Sequence, residues 1–161
     1  MKKDRKNIIL ESLAGMLEER NLSKITTAAL AKKSGITEAA LYRHFPSKRS
    51  IYAELFTFCD EAIFTKCNEL KKSKIAPKEK VKNTYMFFML FVEKNKGFAR
   101  LLSREALSSN EQNVSDNVNQ FFERLELVLR QMLKESENEL RSSRKLRFFF
   151  SFLLFLKIQK I

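Results

Sequence analysis

Residues 37–48 concentrate side chains that can contact nucleic acid. Tyr42, Arg43 and His44 stand in succession, and Lys48 follows after a proline. Hydroxyl and cationic groups of these types donate to phosphate oxygens, and arginine also binds base edges. The chain has no Gly-rich phosphate loop and no nucleophile with a base at usable spacing, and its single histidine cannot build a metal site. We therefore expect a DNA-contacting segment, no enzyme activity and no cofactor.

Two short helices around a tight turn are expected to position these side chains. Thr26 or Thr27 can cap the first helix and Thr37 the second, because a threonine oxygen accepts an otherwise unpaired backbone N–H. Gly35 lies where the chain must turn, at a position suited to positive φ. Pro46 ends the second helix, since the residue before a proline disfavours helical backbone. The pattern predicts a helix-turn-helix whose second helix enters the DNA major groove. The alternative is an ordinary helical hairpin in a core.

The predicted DNA contacts fall into two classes. One class would grip phosphates: Thr27, Tyr42, His44 and Lys48. The other would approach base edges: Thr37, Glu38, Ala39, Ala40 and Arg43. An alanine suits a thymine methyl, Glu38 can accept from a cytosine amine, and Arg43 suits either a base or a phosphate.

The charge distribution agrees with a polyanion partner at the amino-terminal end. The net charge is +12, but residues 1–50 hold 11 Lys/Arg and 5 Asp/Glu, which gives +6. Residues 51–137 hold 14 Lys/Arg and 13 Asp/Glu, which gives +1. Residues 138–161 hold 6 Lys/Arg and 1 Asp/Glu, which gives +5. A basic head on a nearly neutral body indicates electrostatic binding at the head.

Composition predicts an all-helical chain. Only 3 Gly and 2 Pro interrupt a sequence that is 44% hydrophobic and 31% charged. The long helix carries two apolar faces, Ile51, Leu55, Phe58 and Ala62 on one and Tyr52, Phe56, Cys59, Ile63 and Leu70 on the other. The predicted helices span 3–20, 47–72, 78–95, 98–106 and 114–135, in addition to the two of the helix-turn-helix.

The apolar run Tyr85–Val92 predicts a central helix surrounded by the body. It is far too short to span a membrane, and Gly97 is expected to end its helix. Cys59 and Cys67 are too far apart for a disulfide and are expected to be reduced thiols in a core. The charged amino-terminal segment does not resemble a signal peptide, which predicts a cytoplasmic protein.

The sequence Leu-Tyr-Arg-His-Phe-Pro-Ser-Lys at 41–48 resembles the end of the recognition helix in TetR-type regulators. Within that family, the chain resembles the branch of nucleoid occlusion factors over residues 8–135. The blocks that carry this second resemblance are Ile25–Ala28, Thr37–Lys48, Glu93–Phe98 and Asn119–Leu125.

This resemblance implies an all-α, TetR-like fold. A helix-turn-helix head at 1–46 would stand on a helical body at 47–161 that binds a partner and dimerises. The likeness fades after about residue 137, and the family's last two helices form its dimer interface. We therefore expect a shortened carboxyl-terminal part, with the aromatic tail at 138–161 associating loosely between copies.

The branch also implies a second partner besides palindromic double-stranded DNA. Its members bind the carboxyl-terminal tail of the cell-division protein FtsZ in a groove of the body and inhibit FtsZ ring assembly over the nucleoid. For Phe58, Phe87 and Leu90, the apolar ones among the matching positions, the alternative is plain core packing. A TetR-type transcriptional repressor released by a small apolar ligand is the alternative function. The matching FtsZ-binding positions are Phe58, Lys66, Phe87, Leu90, Lys94 and Asn95.

Overall fold

The structure, a computed structural model, describes residues 4–19, 22, 25–107 and 112–134. In these ranges the chain forms α-helices and no β-strand, which confirms the all-helical prediction. The predicted tail at 138–161 lies outside the described residues. The helices are α1 Arg5–Glu18, α2 Thr27–Lys33, α3 Glu38–His44, α4 Lys48–Lys72, α5 Pro77–Lys94, α6 Lys96–Leu102 and α7 Gln112–Lys134.

Capping residues explain where the long helix α4 begins and the next one starts. The backbone N–H of Ser50 donates to Ser47 Oγ at 3.1 Å, and the N–H of Ser47 donates to Ser50 Oγ at 3.2 Å. This reciprocal pair satisfies two donors that a helix start otherwise leaves unpaired. Pro77 occupies the first position of α5, where its missing N–H costs nothing. Both helices therefore begin within one residue of the predicted starts at 47 and 78.

The chain divides into two compact units. The first unit comprises the described residues within 1–59 and 92–116, and the second unit those within 60–91 and 117–161. Helix α4 therefore contributes its first half to one unit and its second half to the other. The predicted functional boundary between residues 46 and 47 stays a prediction.

Within the first unit, α6 packs closely against α1. Gly97 is buried inside α6, and a Cβ added there would lie 2.8 Å from the Ala14 carbonyl oxygen and 3.0 Å from Leu17 Cβ. Arg100 donates from Nη1 to the carbonyl oxygen of Leu17 at 2.6 Å and to that of Glu19. These bonds satisfy carbonyls that the end of α1 leaves unpaired. The first unit thus joins a late helix to the first helix of the chain.

Three predictions about this region differ from the structure. Gly97 does not end the central helix, because α5 already ends at Lys94 and the glycine serves the close approach of α6 to α1. The short helix expected at 98–106 runs instead over Lys96–Leu102, since Arg104 adopts a positive φ of 61° that a right-handed helix excludes. The first helix is also shorter than the predicted 3–20, ending at Glu18.

Within the second unit, α7 packs through a regular apolar face. Phe121 contacts the rings of Phe64 and Phe88, with centroids 5.5 Å and 6.0 Å away. Arg124 donates to Asp60 at 2.9 Å and lies over the Phe64 ring at 3.9 Å, which ties α7 to the second half of α4. The buried face of α7 is Val114, Val118, Phe121, Phe122, Leu125, Leu129 and Met132, with Val114 in its first-unit part.

The expectation that α5 is surrounded on every side was wrong. Of its run of eight apolar residues only Phe88 is buried, whereas Met86 is 47% and Leu90 48% exposed. The first apolar face predicted for α4 is also shorter than expected. Ile51 and Leu55 are buried, but Phe58 is 62% exposed. Ala62 is exposed as well. Both helices therefore leave apolar side chains open to solvent.

Both cysteines are buried free thiols, as predicted. Burial raises the pKa of Cys59 to about 11 and that of Cys67 to about 11. Because the thiolate is the reactive form, these residues serve packing.

Candidate nucleic-acid interface

Threonine caps begin both helices of the helix-turn-helix. Thr26 Oγ1 accepts from the backbone N–H of Ala29 at 3.1 Å, and Thr37 Oγ1 accepts from that of Ala40 at 3.2 Å. Thr26 therefore caps α2, which resolves the choice between Thr26 and Thr27. Since Thr37 uses its oxygen as a cap, α3 starts at Glu38 with a fixed entry direction.

The turn and the end of α3 also follow the prediction. Gly35 has a φ of +67°, a left-handed conformation that costs glycine little. Phe45 leaves the helical region at φ −139° and ψ 118°, directly before Pro46. The recognition helix is therefore bounded by Thr37 on one side and Phe45 on the other.

Buried apolar residues hold the two helices together and define the open face of α3. Leu30, Ala31, Leu41 and Phe45 are at most 4% exposed. Because these residues point into the first unit, the opposite side of α3 remains open to solvent. The side chains exposed there are Glu38, Ala39, Tyr42 and Arg43.

The residues predicted to contact phosphates differ in their solvent exposure and in the neighbours that restrain them. Tyr42 is 46% exposed, and its hydroxyl lies 3.5 Å from Thr27 Oγ1. Thr27 and His44 are half-buried. Lys48 is half-buried as well, and its ammonium lies 5.4 Å from the centre of the Tyr52 ring, a cation–π distance that restrains the side chain.

Among the predicted base-reading residues, Glu38 has a bonding partner that the sequence pattern did not indicate. It accepts a hydrogen bond from the hydroxyl of Thr27 on the neighbouring helix. Ala39 and Arg43 are exposed and Ala40 is half-buried. Thr37 is exposed while its oxygen caps α3. The structure thus brings Thr27, Glu38 and Tyr42 together, one from α2 and two from α3.

Further cations lie on the first unit besides the predicted contact residues. Lys32 and Arg49 are exposed, and Lys6 places its ammonium 5.6 Å from the centre of the Phe45 ring. Lys33 is instead paired with Glu19 at 2.7 Å. The charge excess of residues 1–50 was the sequence signal for this surface, although it does not distinguish paired from unpaired cations.

The predicted FtsZ-binding residues are distributed over both units. In the first unit, Phe58 is 62% exposed, Lys94 ends α5 in solvent, and Asn95 is half-buried at the N-cap of α6.

In the second unit, Lys66 pairs with Glu69 at 2.8 Å, Phe87 is half-buried with its ring 5.9 Å from that of Phe91, and Leu90 is 48% exposed. The exposed fractions of Phe58 and Leu90 argue against the core-packing alternative at these two positions.

The described part of the chain contains no group of three or more His, Cys, Asp or Glu side chains placed to hold a metal ion. The same part holds no helix with both the length and the apolar character needed to cross a bilayer.

The helix-turn-helix on a helical body defines a DNA-binding regulator of the TetR type. Residues 9–55 match the family model described as bacterial regulatory proteins, tetR family, and residues 78–154 match the tetracyclin repressor-like C-terminal domain. The second match reaches further into the tail than the resemblance predicted for residues 8–135.

The chain belongs to the family of the nucleoid occlusion factor SlmA. It is 42% identical to SlmA of Vibrio campbellii over 135 residues, which are 83% of this chain and 69% of that protein. It is 39% identical to SlmA of Marinobacter nauticus over 136 residues, 84% of this chain and 70% of the relative.

Solved structures support the same fold. A TetR-like transcriptional regulator from Rhodococcus sp. RHA1 matches with a TM-score of 0.69 at 20% identity, over 84% of this chain and 72% of that one. A TetR-family regulator from Bordetella parapertussis 12822 matches with a TM-score of 0.71 at 17% identity, over 98% and 81%.

Proposed function

We propose that this chain binds duplex DNA through α3 and, while bound there, inhibits FtsZ assembly over the nucleoid in the cytoplasm. The observation that carries the DNA-binding part is the capped recognition helix with its open face, within residues 1–50, which carry a net charge of +6. The FtsZ-binding part is supported by membership of the SlmA family and by exposed side chains at four of the six corresponding positions.

The DNA contacts follow from the chemistry of the open face. Tyr42, His44 and Lys48 would donate to phosphates and set the register, whereas Arg43 and the alanines would meet base edges. Helix α3 has seven residues, so it is about 10 Å long and reads only a few base pairs. A second copy on a palindrome, with heads about 34 Å apart, would supply the remaining specificity.

The proposed FtsZ contacts combine exposed apolar and cationic groups. In the first unit Phe58 offers apolar surface and Lys94 an ammonium group, and in the second unit Leu90 and Lys66 do the same. Side chains of these two kinds suit a short apolar and acidic peptide. Lysine binds a carboxylate as a point charge without the two-pronged geometry of arginine. We therefore expect a modest affinity for the isolated tail, strengthened when several FtsZ tails are presented by one polymer.

The DNA-binding proposal is tested by titrating the protein into a palindromic duplex selected from a random pool, at several salt concentrations. If two copies make about eight phosphate contacts, the logarithm of the affinity falls against that of salt with a slope of about −7. A scrambled duplex is expected to bind more weakly at every salt concentration. An affinity that does not change with salt would contradict a basic DNA-binding head.

The division-inhibiting proposal is tested by sedimentation of FtsZ polymers with the protein and the selected duplex. We expect less sedimented FtsZ when both are present than with either alone. Release from DNA by a small apolar molecule, without any effect on FtsZ, would instead favour the transcriptional repressor.

A further inference from the structure

Three polar side chains of the open face are joined across the helix-turn-helix. The hydroxyl of Thr27 on α2 donates to the carboxylate of Glu38 at the start of α3. The hydroxyl of Tyr42, one turn further along α3, lies 3.5 Å from Thr27 Oγ1 and is oriented as a donor to it. Thr27 is thus the centre of a network in which Glu38 is the acceptor at one end.

The number of available protons limits which hydroxyls can donate to a DNA phosphate. A threonine hydroxyl has one proton, and an ionised carboxylate can only accept. The proton of Thr27 is given to Glu38, whereas the Tyr42 hydroxyl, 3.5 Å from Thr27 Oγ1, lies at the outer limit of a hydrogen bond and is weakly held. The Thr27 hydroxyl therefore cannot donate to a DNA phosphate while its bond to Glu38 is intact, although the sequence predicts that it contacts one.

The negative charge of Glu38 also weakens DNA binding. Glu38 is exposed on the face that would approach the phosphates, and like charges brought together across an interface disfavour the wrong partner. A cytosine in the major groove changes this balance, because its amino group donates to a carboxylate. When Thr27 donates to a phosphate instead, Glu38 loses a hydrogen bond. Only a DNA sequence that places a cytosine amino group opposite Glu38 replaces that bond.

We propose that Glu38 determines DNA specificity by holding the hydroxyl of Thr27 away from phosphates until a cytosine amino group donates a hydrogen bond to the Glu38 carboxylate. The inference rests on the proposed DNA-binding function and deepens it. Glu38 then weakens the binding of arbitrary DNA sequences in two ways, by occupying the Thr27 hydroxyl and by repelling phosphates. A purely structural role for an acidic residue in the first turn of α3 would not discriminate between DNA sequences.

The test compares the full chain with Glu38→Gln on the selected palindrome and on a scrambled duplex at one salt concentration. The substitution keeps the size of the side chain and removes its charge. We expect binding to the scrambled duplex to tighten about fivefold, and the ratio of the two affinities to fall by at least that factor. The matched control is Glu18→Gln, which removes one exposed charge from α1 of the same unit and is expected to leave the ratio unchanged.

A second variant tests the network itself. Thr27→Val removes the hydroxyl while keeping the branched shape. In the wild-type background it should cost little affinity for the scrambled duplex, because Glu38 already occupies that hydroxyl. In the Glu38→Gln background it should cost several-fold more, a non-additive result that identifies coupled residues.

The outcomes separate this inference from the proposed function. An unchanged affinity ratio in Glu38→Gln, or additive effects of the two substitutions, would overturn the inference while DNA binding by the wild type stands. If the wild type binds neither duplex, the DNA-binding function fails and the role of Glu38 fails with it.

Discussion

At the residue scale, Lys48 is the proposed phosphate contact whose geometry is best defined. Its ammonium is restrained over the Tyr52 ring at 5.4 Å, so less side-chain entropy is lost when a phosphate binds. We expect Lys48→Gln to weaken binding to palindromic and scrambled duplexes alike, and to reduce the salt slope by about 1 for each copy. The control is Lys66→Gln on the same helix, whose ammonium already pairs with Glu69 and whose loss should leave DNA affinity unchanged. A shift in sequence preference would instead make Lys48 a base contact.

The cysteines give a residue-scale prediction that does not depend on DNA. Burial raises the pKa of Cys59 and of Cys67 from 9.0 to about 11. Between those pH values the unfolded thiol loses its proton while the folded thiol keeps it, so stability falls as the pH rises above 9. At neutral pH, a thiol reagent should modify the folded protein far more slowly than the protein in denaturant. Rapid modification of the native chain would show that the packing around α4 opens readily.

At the element scale, the predicted helix boundaries of the helix-turn-helix agree closely with the structure, because the residues that set them act locally. Thr37, Gly35 and Pro46 act within a few residues of their own positions, and the structure places them as predicted. The bond from Thr27 to Glu38 joins residues eleven apart across a turn, and no local pattern encodes it. The position of Gly97 depends on α1, more than seventy residues earlier, so its role was misassigned. The exposed side of α5 likewise follows from packing partners that hydrophobicity alone does not reveal.

The contact between α6 and α1 can be tested with a pair of glycines. Gly97→Ala would place a Cβ 2.8 Å from the Ala14 carbonyl oxygen, which forces the helices apart. We expect it to lower the free energy of unfolding by about 1–3 kcal/mol.

The matched variant is Gly15→Ala within α1, where the nearest atom to the new Cβ is Lys33 Nζ at 3.6 Å, an ordinary contact. It should raise stability by about 0.5–1 kcal/mol, because alanine loses less backbone entropy in a helix. Urea unfolding followed by circular dichroism measures both changes. Equal effects of the two substitutions would contradict the close packing of α6 on α1.

At the scale of the whole molecule, charge and apolar surface are separated along the sequence. The amino-terminal residues 1–50 carry a net charge of +6, whereas residues 51–137 carry +1. The exposed apolar side chains lie mostly beyond the head, with Phe58 on α4, Met86 and Leu90 on α5, and Leu127 on α7. Electrostatic binding of DNA and apolar binding of a peptide would therefore use different residues, so we expect the two proposed activities to be separable by substitution.

Leu90→Glu is the substitution that should separate them. Leu90 is 48% exposed, so a glutamate there remains hydrated and the fold should be retained. The added charge would repel an acidic peptide and remove apolar contact area, so binding of an FtsZ tail peptide should be lost while DNA affinity stays unchanged. Fluorescence anisotropy with labelled peptide and labelled duplex measures both. Phe88→Ala, two positions away and 2% exposed, should instead destabilise the fold by about 3–5 kcal/mol. If Leu90→Glu unfolds the protein in the same way, Leu90 belongs to the core and cannot contact the peptide.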